Sequence, residues 1–598
     1  MPSPVTCRTD SSEQQIAERR SAVAELEQAL WAGGLNLSLL ADYQAACRNL
    51  ETLIANGDND NRHRFIIVIP VADRPRQLRC CLDSLLELCQ TFRYGGQDNG
   101  SYRKVSVLIA DDSKDHRCMA ETRKIARQFS RLGITTEYFG IDEQLAVVAS
   151  LSQADQANLA GILGSARRDA FSHKGHAITR NITYLKLAST PLAAPDDRLL
   201  IYTVDSDQEF KVKIGAADGD KEVCAVNFLY HLDRIFDQTD ALVLTGKVVG
   251  DPPVSPSVMA GNFLEDVIGL LQQMATVAPA SSCQHHQSID RREGEASYHD
   301  MADLFGFKPA SEAFQYRCPL TGVHSEGDCF DDFSARLNSF FYGEHPTRIS
   351  YYRHDELTLT VQPARTVYAG NYVFRPAALN YFIPFAPLRL RMSGPTLGRL
   401  IKSEISQRFV SANLPMLHKR TVSGTGQSEF RPGVRAETAA IELCDEFERQ
   451  FHGDVMLFSI ERLTALGYPE NTHDEEAIAT TLATVRAEMR VKYDAMRRDI
   501  VAKHHRLQSL LDDPAHWWNQ SARHAAAMKQ FRFFADNIAH NFGEDSPCHA
   551  LLDSTANWKR WQAKLLEAIL RYPEERRAWA AALQTKAPGA PGQADRRA

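Results

Sequence analysis

At 598 residues, 44% hydrophobic and 24% charged, the chain is too long for one small core and too polar for a membrane-embedded or fibrous protein; roughly 150 residues per domain gives two to four units. Its 68 basic and 75 acidic side chains leave a formal charge of −7, which argues against nucleic acid as a partner. No apolar run reaches the roughly eighteen residues of a spanning helix, and Arg8, Glu13, Arg19 and Arg20 interrupt the start, so neither a transmembrane segment nor a signal peptide is expected.

A cytoplasmic protein with reduced thiols follows, since its twelve cysteines show no repeating spacing. Peripheral membrane contact and homo-oligomerisation stay open. Residues 12–57 carry helical spacing broken at Gly33-Gly34, which predicts two helices before the polar break at Gly57-Asp58-Asn59-Asp60. Phe65-Ile66-Ile67-Val68-Ile69 then reads as a buried strand stopped by Pro70. A helix over 76–91, a strand over 105–110, a helix through Ile125 and Phe129, and strands over 136–139, 199–204 and 241–245 complete an alternating pattern. Such alternation implies an open α/β sheet whose ligands gather at the carboxyl ends of its strands. Three of those ends carry carboxylates: Asp73, Asp111-Asp112, and Asp205 with Asp207.

The expected division is a helical segment over 1–60, an α/β domain over 61–430 with an insertion at about 280–345, a helical domain over 431–586 and a disordered tail over 587–598. A β-leaning stretch is predicted over 347–391, and a long charged helix over 473–511. The aromatic residues of the last region, Trp517 to Trp579, fall at helical spacing and read as core.

Asp205-Ser206-Asp207 is the strongest chemical feature. Two carboxylates flanking a small residue, where a buried strand emerges, suit a hard divalent cation that bridges phosphates. Upstream, Lys174-Gly175-His176 opens a helix, and a helix start favours an anion; Lys174 and Arg180 add charge for a diphosphate. Across the crevice, the Pro70-Val71-Ala72-Asp73-Arg74 loop would cradle a nucleobase that Asp112 reads, the alternative being that Asp112 caps the following helix.

Together these motifs resemble the GT-A glycosyltransferases, especially the set related to inverting family-two enzymes, over roughly residues 63–422. The carriers are Ile69-Pro70 with Arg74, Ile109-Ala110-Asp111-Asp112-Ser113, His176-Ala177-Ile178-Thr179-Arg180-Asn181, Val204-Asp205-Ser206-Asp207, Ala369-Gly370-Asn371-Tyr372-Val373-Phe374-Arg375 and His418. The resemblance implies a GT-A-type open, mostly parallel sheet flanked by helices and a nucleotide-diphosphate-sugar donor. Pro70, Asp73, Arg74, Asp112, Lys174, Arg180, Asp205 and Ser206 would hold that donor. Mn²⁺ or Mg²⁺ would sit on Asp205, Asp207 and His418, and an unidentified sugar, phosphorylated or glycan acceptor would complete the reaction.

One departure stands out. Where these enzymes place a Glu-Asp pair before a Leu-Gly-Arg-like helix start, this chain has Arg391-Met392-Ser393-Gly394-Pro395-Thr396-Leu397-Gly398-Arg399, without a carboxylate to deprotonate the acceptor. The base would come from Glu404, Asp355 or Glu356, or the enzyme would be retaining, as the makers of sugar-phosphoglycerates are, or this stretch aligns differently. Inversion is taken first; retention, and an inactive nucleotide- or glycan-binding protein, are the alternatives. Asn371, Arg391 and Arg399 are acceptor candidates. Residues 246–253, after the fifth strand, read as a loop beside the acceptor. In the insertion, Cys283, His285, His286, His299, Cys318, His324 and Cys329 lack paired C-x₂₋₄-C spacing, which predicts a lid or acceptor loop rather than zinc. A sugar-nucleotide pyrophosphorylase would need a Gly-rich loop after the first strand, and a dehydrogenase a G-x-G-x-x-G; both are absent.

Overall fold

The computed structural model of the chain describes residues 6–56, 60–189, 198–215, 220–285, 316, 318–368, 370–422, 424, 427–428, 431, 433–436 and 440–586. The break at Gly57-Asp58-Asn59, His286, His299, Ala369 and the tail over 587–598 lie outside them.

Nine strands make one mixed, mostly parallel sheet: β1 (Arg64–Val71), β2 (Val105–Asp111), β3 (Thr135–Phe139), β4 (Leu199–Val204), β5 (Gln208–Glu209), β6 (Val243–Gly250), β7 (Gln362–Pro363), β8 (Asn371–Phe374) and β9 (Phe409–His418). Their order is β7-β9-β6-β8-β4-β1-β2-β3, with β5 paired to β9. The β4-β1-β2-β3 half is parallel, β6 and β9 pair in parallel, and β8 runs antiparallel between β4 and β6. The chain leaves β1 toward β2 on one side and returns to β4 on the other, so the sheet reverses its order between β1 and β4. That is where an open sheet leaves a crevice for a ligand.

Pro70 does not stop the first strand; β1 runs on to Val71. In a parallel ladder alternate residues bond to alternate neighbours, and here Phe65 bonds toward β2 while Arg64 bonds toward β4. Pro70 therefore faces β4, where pairing has already ended at Val68, and no N–H is needed. The same alternation splits the core. Phe65, Ile67 and Ile69 pack with helices α1 (Thr6–Trp31), α2 (Leu37–Ala55) and α3 (Pro75–Phe92) on one face. Beyond β2, α4 (His116–Arg131) leads to β3.

Ile66 and Val68 face the other way, into a larger core. It holds α5 (His176–Ala188), α6 (Pro256–Ala275), α7 (Glu326–Leu337) and α8 (Ser393–Ile405). It continues without interruption into α9 (Cys444–Ala465), α10 (Glu475–Asp512), α11 (Ala525–Phe542) and α12 (Thr555–Lys586). Trp518, Phe531, Phe534 and Trp579 are buried in it, and Trp579 Nε1 donates to the Leu379 carbonyl at 2.8 Å.

Two expectations are corrected. Residues 246–250 are not loop but the second half of β6. The register slips between Thr245 and Lys247, and Gly246 fits the slip because a Cβ there would lie 2.5 Å from the Leu414 carbonyl oxygen. The β-leaning stretch over 347–391 yields only β7 and β8, the rest being turns and short 3₁₀ segments. Pro376, Pro384 and Pro387 remove the donors that a ladder would need.

Candidate functional site

The loops leaving β1, β2 and β4 meet the start of α5 around a cavity of about 650 Å³. Asp73 stitches these loops together. Its backbone is left-handed, with φ 53°, its N–H donates to Ser113 Oγ at 2.8 Å, and its Oδ1 accepts the Lys114 and Asp115 N–H groups at 3.0 Å each. Its Oδ2 lies 2.5 Å from His173 Nε2. Asp112 lines the cavity but is committed as well: Lys174 Nζ donates to it at 2.7 Å and the Gly175 N–H at 2.9 Å. The Lys174 ammonium is buried on that carboxylate. Asp73, Asp112 and Lys174, read from sequence as donor ligands, are thus held together as supports of the loop before α5. Gly175, at φ 100°, turns the chain into that helix as few other residues could.

Asp205-Ser206-Asp207 follows β4 into the same cavity. The Asp205 N–H donates to the Gly370 carbonyl at 3.3 Å, and a side chain at 370 would come within 2.6 Å of Asp205 Oδ2. Directly after Asp207 the chain forms β5, whose Gln208 pairs with His418 at the end of β9. That short pairing sets His418 Nε2 3.7 Å from Asp207 Oδ2. His418 Nδ1 lies 2.7 Å from the Asp251 carbonyl oxygen; an N–H donated there fixes the ring with Nε2 on the Asp207 side.

Arg74 Nη1 and Arg420 Nη1 also approach Asp207 Oδ2, at 3.3 and 3.5 Å. Burial opposes ionisation of Asp207, but His418, Arg420 and Arg74 outweigh it and hold the carboxyl well below the usual carboxylate range. Asp205 is 37% exposed and accepts from Arg180 Nη2 at 2.5 Å. Arg180 itself has no exposed surface, and its Nε and Nη1 are buried without a hydrogen-bond partner. Asp207 and His418 face each other at 3.7 Å and Asp205 opens on the same cavity, though the three do not gather within 4.8 Å of one another; carboxylate oxygens and an imidazole are donors of a kind that divalent cations accept.

The far bank joins segments that the sequence singled out, at His176 and over 391–395, to α9, which it did not. His176, in the first turn of α5, lines the cavity with an exposed side chain. Ser393, Gly394 and Pro395 at the start of α8 line the wall, as do Asp445, Glu448 and Arg449 of α9. Beneath them Glu446 sits within 3.6 Å of Arg391, Arg431 and Arg449. Burial would raise its carboxyl, yet those three arginines lower it to about 2. The one sequence signal was the pair Glu446 and Arg449, three apart on a helix that otherwise reads as core.

Several expected residues lie elsewhere. Asn371 is buried among strands, its amide donating to the Lys247 and Leu414 carbonyls and accepting from Tyr202. Arg399 binds Glu461, Thr366 and the Arg365 carbonyl. Glu404 pairs with Arg576 at 2.9 Å, and Asp355 and Glu356 are exposed. None of these five lines the cavity, whereas Pro70, Arg74, Asp112, Arg180, Ser206 and Arg391 do.

The described chain is therefore an α/β protein with a mostly parallel mixed sheet, a helical C-terminal region and an arginine-rich crevice at the carboxyl ends of β1 and β4. None of its described helices is long and apolar enough to cross a membrane. Compared with known families and with curated proteins, the chain matches none.

Proposed function

We propose that the chain transfers a sugar from a nucleotide-diphosphate donor to a hydroxyl acceptor, with a divalent cation, Mn²⁺ or Mg²⁺, held by Asp205, Asp207 and His418. One observation carries the reading: a buried, ionised Asp207 faces an imidazole at 3.7 Å whose other nitrogen is tied to a carbonyl. A bound cation there would supply positive charge for a departing diphosphate. The chain's own contribution to that charge is Arg74, Arg180 and Arg420, with the start of α5 beside them. The first loop, Pro70 to Arg74, would take the base.

A second reading concerns stereochemistry. The described carboxylates of the cavity other than Asp205 and Asp207 are all engaged: Asp112 with Lys174, Asp445 with Arg435, and Glu448 with Asn557, Arg560 and Trp561. With Glu404, Asp355 and Glu356 outside it, an inverting base is lacking, so we place retention ahead of inversion.

The test is a panel of nucleotide-diphosphate sugars incubated with the protein and Mn²⁺, scored by nucleotide-diphosphate release and by the anomeric configuration of any product. Release that depends on the metal supports the reading, and a retained anomer supports its second part. A panel in which no nucleotide binds and none is cleaved overturns both; binding without cleavage leaves an inactive nucleotide-binding protein.

A further inference from the structure

A second cluster of ligating side chains lies in the insertion, at residues that share nothing with the crevice. Cys283, Cys318, His324 and Cys329 bring three sulfurs and one imidazole nitrogen within 4.8 Å of one another. Their irregular spacing along the chain hid this. The structure explains the convergence: Ser282 and Ser325 form a β-bridge, the Cys283 N–H donates to the His324 carbonyl at 3.1 Å, and the Cys318 N–H donates to the His285 carbonyl at 3.2 Å. Cys329 enters from α7.

The geometry points to a closed structural zinc site of Cys₃His type. Zinc–sulfur and zinc–nitrogen bonds of about 2.3 and 2.0 Å on a tetrahedron give edges of about 3.8 Å between sulfurs and about 3.5 Å from sulfur to nitrogen. The observed Cys329 to Cys318 Sγ distance is 3.5 Å, and Cys318 Sγ lies 3.2 Å from His324 Nε2. His324 Nδ1 lies 2.8 Å from the Gly322 carbonyl oxygen, the kind of partner that fixes a ligating imidazole with Nε2 directed at the sulfurs. The His285 N–H, 3.4 Å from Cys283 Sγ, suits a thiolate. A disulfide explains less. The Cys318–Cys329 separation is far beyond the roughly 2 Å of a sulfur–sulfur bond, and one bridge among three cysteines would leave a thiol and the imidazole unaccounted for.

Three thiolates and an imidazole complete four ligands, with no position left for water, which marks a structural rather than a catalytic ion. The ion would clamp the base of α7, and α7 is the insertion's anchor on the C-terminal helices. Phe330 stacks on Trp518 at 5.5 Å between ring centres, and Asp328 and Asp331 pair with Arg523 and His524, each at 2.9 Å.

The test is metal analysis of the full chain after gel filtration in a chelator. One zinc per chain is expected, released by an organomercurial that caps thiols. The reduced, zinc-stripped protein should take up Co²⁺ and show sulfur-to-cobalt charge-transfer absorption. Cys318→Ser and His324→Ala should each lower zinc affinity by about tenfold or more, whereas Asp207→Asn should keep its zinc, which separates this ion from the one proposed in the crevice. Protein that purifies without zinc and gives no charge-transfer band with Co²⁺ overturns the site, as does full zinc in the Cys318→Ser variant or a disulfide among these cysteines by mass spectrometry. The cobalt measurement uses the native chain, so it decides even where a variant fails to fold.

Discussion

Replacing Asp207 by Asn tests the crevice most directly, because the structure separates what the charge does for the fold from what it does for a ligand. Without it, Arg74 and Arg420 lose a carboxylate partner at 3.3 and 3.5 Å. Breaking a fully buried pair costs about 3–5 kcal/mol. These two side chains are 19% and 14% exposed and keep some water, so about 2 kcal/mol is expected. In a chain this large that lowers the melting point by only about 1–2 °C. The ligand effect is separate and larger: a metal-nucleotide at about a hundred times its dissociation constant stabilises the native chain by about 2.7 kcal/mol. Thermal melts of both proteins, with and without Mn²⁺ and a nucleoside diphosphate, should therefore show a ligand-induced rise only in the native chain. Sugar transfer by the variant should fall by about a hundredfold or more. A variant that melts a little lower yet keeps the full ligand-induced rise and native turnover would refute the assignment of Asp207 to the metal.

Three further outcomes are expected. Asp454, buried in α9, accepts the Tyr493 hydroxyl at 2.6 Å and the Gln450 amide at 2.9 Å, and burial still pushes it up to about 7. An unfolded aspartate titrates near 3.9, so between about pH 4 and 7 the native chain binds the extra proton and loses stability as pH rises, up to about 4 kcal/mol. Urea melts should show Asp454→Asn equal to the native chain at pH 4 and more stable at pH 8; a variant less stable at pH 8 counts against this. Arg399→Met removes bonds to Glu461, Thr366 and the Arg365 carbonyl; it should cost about 2 kcal/mol in urea melts while leaving the transfer rate unchanged. Glu404→Gln and Asp355→Asn should also leave that rate unchanged, and a fall to background in either would identify an acceptor base outside the described cavity.

In the parallel half β3 (Thr135–Phe139), at the sheet edge, shows only partial burial, whereas β1, β2 and β4 were legible because each is a largely apolar run of sheet-strand length, and the carboxyl end of such a run fixes where polar residues gather. Asp205-Ser206-Asp207 could be read for that reason, and His418 was placed only through the resemblance. What joins them is the two-residue strand Gln208–Glu209, too short to carry any periodicity. Residues 246–250 misled because glycine at a register slip looks like glycine in a turn. The loop supports were hidden differently: Asp73, Asp112 and Lys174 have the right chemistry for a ligand, and only the fold shows that Lys174 pairs with Asp112 while Asp73 bonds to Ser113, Lys114, Asp115 and His173. The bank supplied by α9 was invisible, since a helix that lies both in a core and against a cavity reads as core. The cysteine cluster escaped because backbone pairing, rather than spacing, assembles it.

The large core that runs unbroken from Ile66 in the first strand to Leu583 in the last helix has a practical consequence. Ending the chain soon after His418 would not leave a smaller folded unit; it would strip α9 to α12 from the core on one side of the sheet and remove a wall of the crevice. Variation in α9 could reshape that wall while the opposite bank, with its acidic turn, stays as it is. New specificity in this scaffold is therefore expected to arise from the helical end of the chain.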